Sequence, residues 1–474
     1  MLAFLNDLIW GKILIFTLIP IGLIFTLWSR GVQFRHFFNM FSVLGEGFQH
    51  RTDQPSSFQA LALSVAGRVG GGNIAGVAAA IAIGGPGAIF WMWVVGLAGM
   101  ATSFFECTLA QVYKQKEPDG NYRGGPAYYI EKGLGRMLGS GTKYLGYVYS
   151  LLLLATFGVA FVTFQSFAMS SSIEGAFGLD RVWSGLGLAV LVGFVILGGI
   201  KRIASVVEYI VPIMAIGYAA IVIVVIALRI EDVPGVLANI VTSAFGPEEV
   251  IGGGIGAVIL QGVQRGLFSN EAGLGSAPNV AAVAYVEHPA QQGLVQSLSV
   301  FIDTIILCTC TALIILLSGI DFIGAEDGEL LTQLALADHI GGWAEYFIAG
   351  ALFLFAFSSI MYSYYLGETA IDYYWQDNQT AFMAYRAVVV GFVIFGAMRD
   401  LGDVLAYSNV TMGLLAIVNL FAVALLLPVG MRVMRDFDSQ RKAGVKVPKF
   451  DPAHFRDLDL DDSAWPDIKA PERA

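Results

Sequence analysis

The feature that most constrains this chain is a series of long apolar stretches that contain no Asp, Glu, Lys or Arg. An α-helix needs about 20 mostly apolar residues to cross the roughly 30 Å hydrocarbon core of a membrane. Only 14% of the 474 residues are charged and 56% are hydrophobic, whereas soluble domains carry roughly 25% charged residues. The composition therefore predicts an all-α polytopic membrane protein. The charge-free stretches are 13–29, 69–105, 144–173, 182–200, 209–228, 304–320, 346–367 and 404–431.

About eleven transmembrane helices are predicted once less regular segments are added to these stretches. The sequence GlyGlyProGly at 84–87 divides the stretch 69–105, because Gly and Pro interrupt helices. Further apolar segments lie at 254–287, 292–303 and 386–398. The predicted helices are 12–29, 57–83, 87–112, 144–172, 181–199, 203–228, 254–287, 292–318, 343–366, 384–398 and 403–430.

The distribution of charge predicts orientation and excludes one class of partner. Cytoplasmic loops hold an excess of Lys and Arg, and an N-terminus on the outside places most of these residues on the cytoplasmic side. The first helix lacks a signal-peptide cleavage site, so it is expected to stay as an anchor. The net charge of -10 argues against a nucleic-acid partner, which requires a basic face. Cys107, Cys308 and Cys310 lie in apolar runs and are expected to be buried thiols.

A short sequence pattern occurs twice and indicates a candidate site. The pattern Arg-x-x-x-x-Asn-x-Ala-Gly-aliphatic begins at Arg68 in the second predicted helix and at Arg265 in the seventh. A chance match is the alternative, because Gly and Ala are frequent in this chain. The second copy lies five predicted helices after the first, an odd number, so the second unit would start from the opposite side of the membrane. Inverted repeats with a broken helix at the same place in each half indicate the binding site of secondary transporters.

Both copies of the pattern are rich in glycine at membrane depth. The three adjacent glycines Gly70–Gly72 cost about 3 kcal/mol of helix propensity relative to Ala, so unwinding is expected there. Gly76, Gly96 and Gly99 are instead expected to let neighbouring helices pack closely. An unwound segment frees carbonyl groups for a cation and leaves N–H groups at a helix N-terminus for a carboxylate. An amino acid zwitterion with Na+ would use both kinds of group.

Longer motifs resemble the alanine or glycine:cation symporter family. They cover most of residues 57–370, and the motif at 266–278 is long enough to be highly specific. The resemblance implies a sodium-coupled amino acid symporter with the LeuT-type fold of the amino acid–polyamine–cation superfamily, in which one leading helix precedes two inverted five-helix repeats. The motifs are GlyArgValGlyGlyGlyAsnIleAlaGlyValAla (67–78), GlyGlyProGly (84–87), PheTrpMetTrp (90–93), GlyLeuPheSerAsnGluAlaGlyLeuGlySerAlaPro (266–278), PheIleAspThr (301–304) and AlaPheSerSerIle (356–360).

This arrangement divides the chain into four predicted regions. The N-terminal transmembrane helix and its connecting loop take residues 1–56, and the first five-helix repeat takes 57–250. The second, inverted repeat takes 251–430, and a solvated, partly disordered cytoplasmic tail takes 431–474. The family and the lack of a targeting segment imply a multi-pass protein of the inner (cell) membrane of a prokaryote. The distribution of Lys and Arg predicts that its N-terminus lies outside.

The resemblance also implies which residues bind the amino acid and the co-transported ion. The two broken helices would clasp the carboxylate and amine of the amino acid, and one residue of the fourth helix would face the same site. The implied substrate-binding residues are Gly70, Gly71, Gly72, Asn73, Gln165, Phe268, Ser269, Asn270, Gly273 and Ser363. Oxygen ligands suit a hard cation such as Na+. The implied Na+ ligands are the carbonyl groups of Ala66 and Val69 and the hydroxyl groups of Ser358 and Ser359, with Asp303 as a further candidate.

Two positions depart from the pattern of the family. Gly71 stands where the family commonly has Thr, and Ser363 stands where it commonly has Trp. Both changes remove volume near the expected side-chain pocket. A neutral amino acid somewhat larger than alanine or glycine is therefore expected to fit.

Several ionisable residues are predicted at membrane depth, where charged groups are costly and usually functional. Arg68 or Arg265 either pairs with Glu271 in a buried brace or contacts the substrate directly, and the sequence leaves both readings open. Structural hydrogen bonding is the alternative to ion binding for Asp303.

Other classes of function have weaker support in the sequence. No HExxH or GxSxG motif indicates a membrane enzyme, and no GxxxxGK[ST] loop indicates a primary pump. A cation channel is an alternative, because broken helices and intramembrane charges occur in channels too. An H+-coupled amino acid carrier of the same fold is another. The identity of the amino acid, the Na+ stoichiometry and the oligomeric state stay undetermined, with a monomer among the states left open.

Overall fold

The computed structural model of the protein is almost entirely helical. It describes residues 2–47, 55–118, 120–246, 254–321 and 328–465. Within these ranges the strands are a two-residue antiparallel pair, β1 (Gln115–Lys116) and β2 (Tyr122–Arg123). The long helices and the paired half-helices are α1 (Phe4–Trp28), α2 (Ser57–Arg68), α3 (Gly72–Gly84), α4 (Gly87–Val112), α5 (Thr142–Phe177), α6 (Arg181–Ile196), α7 (Gly199–Leu228), α8 (Gly254–Asn270), α9 (Ser276–Ala281), α10 (Pro289–Leu316), α11 (Trp343–Tyr374), α12 (Gln379–Ala397) and α13 (Leu401–Lys442). Shorter helical segments are Val32–Arg35, Phe37–Gly47, Pro126–Tyr128, Tyr129–Leu134, Gly135–Leu138, Val233–Ser243, Gly328–Ile340 and Pro452–Phe455.

Eight helices of the described residues are long and apolar enough to cross a membrane, and they are α1, α4, α5, α7, α10, α11, α12 and α13. The pair α2 and α3, bent by 50° at its break, is a ninth candidate if it counts as one span. The helix α6 is apolar but shorter, and α8 ends at Asn270 instead of continuing to residue 287. The all-helical membrane architecture is thus confirmed, whereas the count of eleven helices stays a prediction.

Close packing around α4 shows which glycines serve helix contact. A Cβ atom added at Gly96 would lie 2.9 Å from Thr304 of α10, and one added at Gly99 would lie 2.9 Å from Ala272. The prediction of close packing is therefore confirmed at these two positions. It is wrong at Gly76, because a Cβ atom there would have no other residue within 4 Å.

The C-terminal tail, residues 443–465, packs against one end of the helix bundle. Phe450, Phe455 and Trp465 are buried, and the backbone N–H of Phe450 donates to the carbonyl of Glu287 at 2.8 Å. The predicted solvated, partly disordered tail is wrong for this part of the chain, because its aromatic side chains form a cluster of their own. Residues 466–474 lie outside the described residues.

A buried lysine joins this tail to the loop after α4. The Lys114 ammonium lies 4.1 Å from the ring centre of Tyr122 and 4.3 Å from that of Trp465. Burial lowers the pKa of Lys114 to about 7, while the faces of the two rings favour its charged form. The tail also binds α13, since Arg432 donates two hydrogen bonds of 2.7 Å to Asp457.

Candidate substrate and cation site

The first broken helix unwinds at Val69–Gly71, which includes two glycines of the predicted triplet. The helix α2 starts with a capping box in which Ser56 and Gln59 satisfy each other's backbone N–H groups. It ends at Arg68, because Val69 leaves the helical region with φ -82° and ψ 88°. The backbone N–H of Gly70 then donates to the side-chain oxygen of Asn73 at 3.0 Å. The side chain of Asn73 therefore supplies a hydrogen-bond acceptor to a backbone N–H group in the break.

The second broken helix unwinds between α8 and α9. Glu271, Gly273 and Gly275 have φ angles of 55°, 95° and 82°, in the left-handed region that costs a residue with a Cβ atom about 1–2 kcal/mol. Glycine avoids that cost at two of the three positions. The strained backbone conformation of Glu271 is maintained by the surrounding structure, and strain of this kind is common at functional sites. Glu271 is therefore a candidate functional residue.

The structure brings the two breaks together, as the repeat predicts for a shared site. The side-chain amide of Asn73 donates to the hydroxyl of Ser269 at 3.2 Å. A Cβ atom added at Gly72 would lie 3.1 Å from the ring of Phe268. Residues Gly70–Asn73 thus face Phe268 and Ser269 across a contact between the two broken helices.

Gln165 of α5 lies directly against the first break, where the resemblance places it. Its side-chain oxygen accepts a hydrogen bond of 2.9 Å from the backbone N–H of Gly71. A Cβ atom added at Gly70 would lie 2.5 Å from the side-chain nitrogen of Gln165, so the close contact requires glycine at that position. This N–H group therefore has a side-chain oxygen as its acceptor, which another oxygen acceptor could replace.

Aromatic rings close the side of the site next to Gln165. The ring of Phe268 stacks on Phe161 with centroids 4.8 Å apart and meets Phe164 edge-on at 5.0 Å. The sequence reasoning missed Phe161 and Phe164. Phe161 lies three residues before Phe164 and four before Gln165 on α5. This spacing was the available signal, because residues three and four apart share a helix face.

Three predicted substrate-binding residues lie elsewhere. Asn270 accepts a hydrogen bond from the backbone of Ala272 through its side-chain oxygen. Gly273 donates its N–H to Glu106 and accepts from Asn419 through its carbonyl, at 3.2 and 2.9 Å. Ser363 is buried in α11 and has no hydrogen bond to either break among the described residues. The unwound backbone turns Asn270 and Gly273 toward other partners, and Ser363 belongs to the continuous helix α11. The structure therefore does not unite these three residues with Gly70–Asn73.

The four residues predicted to bind Na+ through carbonyl and hydroxyl groups are only partly brought together. The hydroxyl of Ser359 donates to the carbonyl of Ala66 at 2.7 Å, which joins α11 to the helix before the first break. The hydroxyl of Ser358 instead donates to Phe355 within α11, on the side of Met214. Adjacent residues point about 100° apart on a helix, so one of the two serines turns away. Val69, the fourth residue of this set, lies buried at the break itself.

Asp303 of α10 accepts hydrogen bonds from both broken helices. Its carboxylate oxygens lie 2.6 Å from the amide nitrogen of Asn73 and 2.7 Å from the hydroxyl of Ser269. Thr304 supplies a third donor at 2.8 Å. The carboxylate is fully buried and has no Lys or Arg within 4 Å among the described residues. A monovalent cation at this position would supply the positive charge that the carboxylate lacks.

The predicted brace between an arginine and Glu271 does not form. Arg68 instead donates to the carbonyl of Gln296 and to the hydroxyls of Ser299 and Ser103. Arg265 is buried in α8 and makes no ion pair within the described part of the chain. Among the described residues, the carboxyl group of Glu271 accepts hydrogen bonds from two hydroxyl groups, those of Ser276 at 2.6 Å and Tyr362 at 3.0 Å.

Glu106 is a buried residue of the site region that the sequence reasoning missed. One of its oxygens accepts from Gly273 and the other from the side-chain amide of Asn419, at 3.2 and 2.9 Å. It therefore holds the second break in place from α4. The signal was present, because Glu106 is the only charged residue between Arg68 and Lys114.

Comparison with known proteins finds similarity along most of the chain. A family model described as the sodium:alanine symporter family matches residues 1–452. The amino-acid carrier protein AlsT of Bacillus subtilis is 48% identical over 93% of this chain and 92% of its own length. The probable sodium/glutamine symporter GlnT of the same organism is 44% identical over 96% of this chain and 92% of its own length. The crystal structure of MhsT in complex with L-phenylalanine covers 81% of this chain and 99% of its own, with a TM-score of 0.51 and 11% identity, which shows a similar fold.

Proposed function

Because this chain belongs to the sodium:alanine symporter family, and is therefore a multi-pass amino acid transporter and not an enzyme, we propose that it imports a small neutral amino acid together with Na+. The substrate is alanine, glycine or a somewhat larger neutral amino acid. Transport proceeds by alternating access, in which the two broken helices move against the helices that hold them. The observation that carries this proposal is the meeting of the two breaks beside Asp303.

The surroundings of the first break support binding of an amino acid backbone. The N–H of Gly71 is directed at a side-chain oxygen of Gln165, and a carboxylate oxygen can replace that acceptor. The free N–H groups and the dipole of α3 favour a negative group at this place. The aromatic rings of Phe161, Phe164 and Phe268 supply an uncharged wall, which suits a neutral side chain.

Two cation positions follow from the same contacts. Asp303 would bind Na+ through its carboxylate, with the side chains of Asn73 and Ser269 orienting it. Ala66, Val69, Ser358 and Ser359 would form the second position after Ser358 turns toward Ser359. Both positions offer oxygen atoms, which a hard cation prefers.

The rest of the predicted organisation belongs to the same proposal. The regions 57–250 and 251–430 form two inverted five-helix repeats, the region 1–56 precedes them, and 431–474 forms the cytoplasmic end. The N-terminus lies outside and the protein resides in the inner (cell) membrane. The presence of one broken helix in each repeat, at equivalent places in the shared sequence pattern, supports this arrangement.

Two alternatives use the same residues. A cation channel requires a continuous path of water, but side chains of Gln165 and Phe268 lie against the first break, which favours a carrier. An H+-coupled carrier is supported by one specific feature, because the carboxylate of Asp303 can bind a proton in place of Na+.

Uptake of labelled alanine into proteoliposomes tests the proposed function. We expect accumulation that requires an inward Na+ gradient and that unlabelled alanine and glutamine both reduce. Accumulation on an H+ gradient without Na+ would favour the H+-coupled carrier. A leak of Na+ without accumulation of any amino acid would favour the channel and contradict the proposal.

The Gly71→Ala variant is expected to narrow the range of substrates. The added Cβ atom would lie 3.1 Å from both Ala168 and the ring of Phe164, which is tighter than ordinary contact. Competition by glutamine should weaken by roughly tenfold, the lower range for one methyl group in a pocket, while competition by alanine should change less. Equal losses for both amino acids would show that Gly71 does not line the side-chain pocket.

A further inference from the structure

The carboxyl group of Glu271 is buried in the second break and is only half satisfied. Its Oε2 accepts hydrogen bonds from Ser276 and Tyr362. Its Oε1 is fully buried and has no hydrogen-bond partner among the described residues. A buried carboxylate oxygen without a donor costs several kcal/mol in an apolar medium, whereas a protonated carboxyl group carries no net charge.

The balance of buried charges also requires a proton or a second cation. Arg68 lies within electrostatic reach of Glu106, Glu271 and Asp303, so one guanidinium faces three carboxyl groups. Under the proposed function, Na+ at Asp303 balances a second of these charges. One carboxyl group is left without a positive partner in a region where unpaired charges are expensive.

Hydrogen bonding identifies which carboxyl group that is. Both oxygens of Glu106 accept from donors, Gly273 and Asn419, and so suit the ionised form. Glu271 has donors on one oxygen only and leaves the other free to carry a proton. The ionisable groups that interact with Glu271 from the surrounding helices are Arg68, Tyr149, Asp303 and Tyr362. Glu106 interacts with two of the same groups, Arg68 and Tyr149.

Tyr362 connects this carboxyl group to the movement of the broken helices. Its hydroxyl bonds Glu271 in the second broken helix, and its ring fills the space left by Gly67 in the first. Tyr362 itself belongs to the continuous helix α11. Movement of the broken helices against α11 must therefore separate Tyr362 from Glu271 and admit water to the carboxyl group.

We propose that Glu271 is a proton-binding site of this carrier, closed by Tyr362 when the two broken helices are packed as in this structure. This inference rests on the proposed function. While the site is open to one side, a hydronium ion transfers its proton to Oε1, so that one O–H bond of the hydronium breaks as the Oε1–H bond forms and a water molecule is left. The reverse transfer takes place when the site opens to water again. No covalent bond between heavy atoms changes, and the buried cluster carries one negative charge fewer while the proton is bound.

The test is the pH dependence of Na+-driven amino acid uptake in proteoliposomes, compared between the unaltered protein and Glu271→Gln. We expect uptake by the unaltered protein to change with pH and uptake by the variant to be flat across the same range. Glu106→Gln is the matched control, a second buried glutamate with both oxygens bonded, and we expect it to keep the pH dependence even where its rate falls. A Glu271→Gln profile with the same midpoint as the unaltered protein would overturn the proposal.

Infrared difference spectra of the purified protein give a readout that does not require transport. We expect a carbonyl band of a protonated carboxylic acid that disappears at high pH, is missing from Glu271→Gln and is retained in Glu106→Gln. A band that persists unchanged in Glu271→Gln would contradict the assignment. Na+-driven uptake that is independent of pH in the unaltered protein would refute the proton site while leaving the proposed function intact, whereas absence of any uptake would refute the function itself.

Discussion

Replacing Asp303 with asparagine is expected to raise the Na+ concentration that half-saturates uptake by roughly tenfold or more. The change removes the buried negative charge and keeps the shape of the side chain. Hydrogen bonds to a charged group contribute about 1.5–3 kcal/mol each, and 1.4 kcal/mol corresponds to a factor of ten. Asparagine would also direct an N–H2 group at the donors of Asn73 and Ser269. The measurement is the initial rate of uptake against Na+ concentration at a fixed concentration of amino acid.

Asp338→Asn is the matched control for this change. Asp338 is exposed on Gly328–Ile340 and accepts a hydrogen bond from the backbone of Gly319. We expect its half-saturating Na+ concentration to equal that of the unaltered protein. If Asp303→Asn also keeps this value, Asp303 is a structural hydrogen-bond acceptor, and the group of Ala66, Val69, Ser358 and Ser359 is left as the candidate for Na+.

Replacing Gly67 with alanine is expected to lower transport by at least about tenfold and to reduce thermal stability. An added Cβ atom would overlap the ring carbons of Tyr362, and this ring is fully buried and held through its hydroxyl by Glu271. Overpacking of this kind costs about 1–3 kcal/mol. The packed arrangement of the two broken helices should therefore be depopulated. Uptake rates and the melting temperature of the purified protein measure the two effects.

Gly76→Ala provides a control within the same broken helix. A Cβ atom at Gly76 would meet no other residue within 4 Å, and alanine favours the helical conformation. We expect uptake and melting temperature to stay close to those of the unaltered protein. Equal losses of uptake and melting temperature in both variants would mean that the first broken helix does not tolerate any added side chain. The contact with Tyr362 would then not be the cause of the effect.

The places where helices break were predictable because they depend on local backbone preferences. Three adjacent glycines at Gly70–Gly72 weaken a helix whatever surrounds it, and the structure unwinds there. The second copy of the pattern placed the other break within a few residues of Glu271. The glycine triplet and the repeated pattern each occupy a short segment of the chain, so both could be found from the sequence alone.

The partners of the unwound segments were less predictable because they depend on side-chain direction across the fold. Ser358 and Ser359 are indistinguishable as sequence, yet only Ser359 reaches Ala66. Gly273 resembles Gly70 as a glycine in a break, but it faces Glu106 and Asn419. Asn419 lies far along the chain in α13, and no local pattern connects it to the second break.

The packing of the C-terminal tail was also not predicted from the sequence, for a different reason. Its acidic and basic residues predicted a solvated segment, because composition averages over positions. Phe450, Phe455 and Trp465 are few in number but lie on one cluster. Burial of these three rings holds the segment against the protein, while the charged residues around them stay at the surface.

The contact of Trp465 with Lys114 has a consequence for the order in which the protein is made. It joins a residue in the first quarter of the chain to one that leaves the ribosome only after α13 has been synthesised. Until then, the lysine and the ring of Tyr122 lack the aromatic surface that covers them in the finished protein. Docking of the tail on Lys114 therefore takes place after α13 has been synthesised, which makes it a late step of assembly.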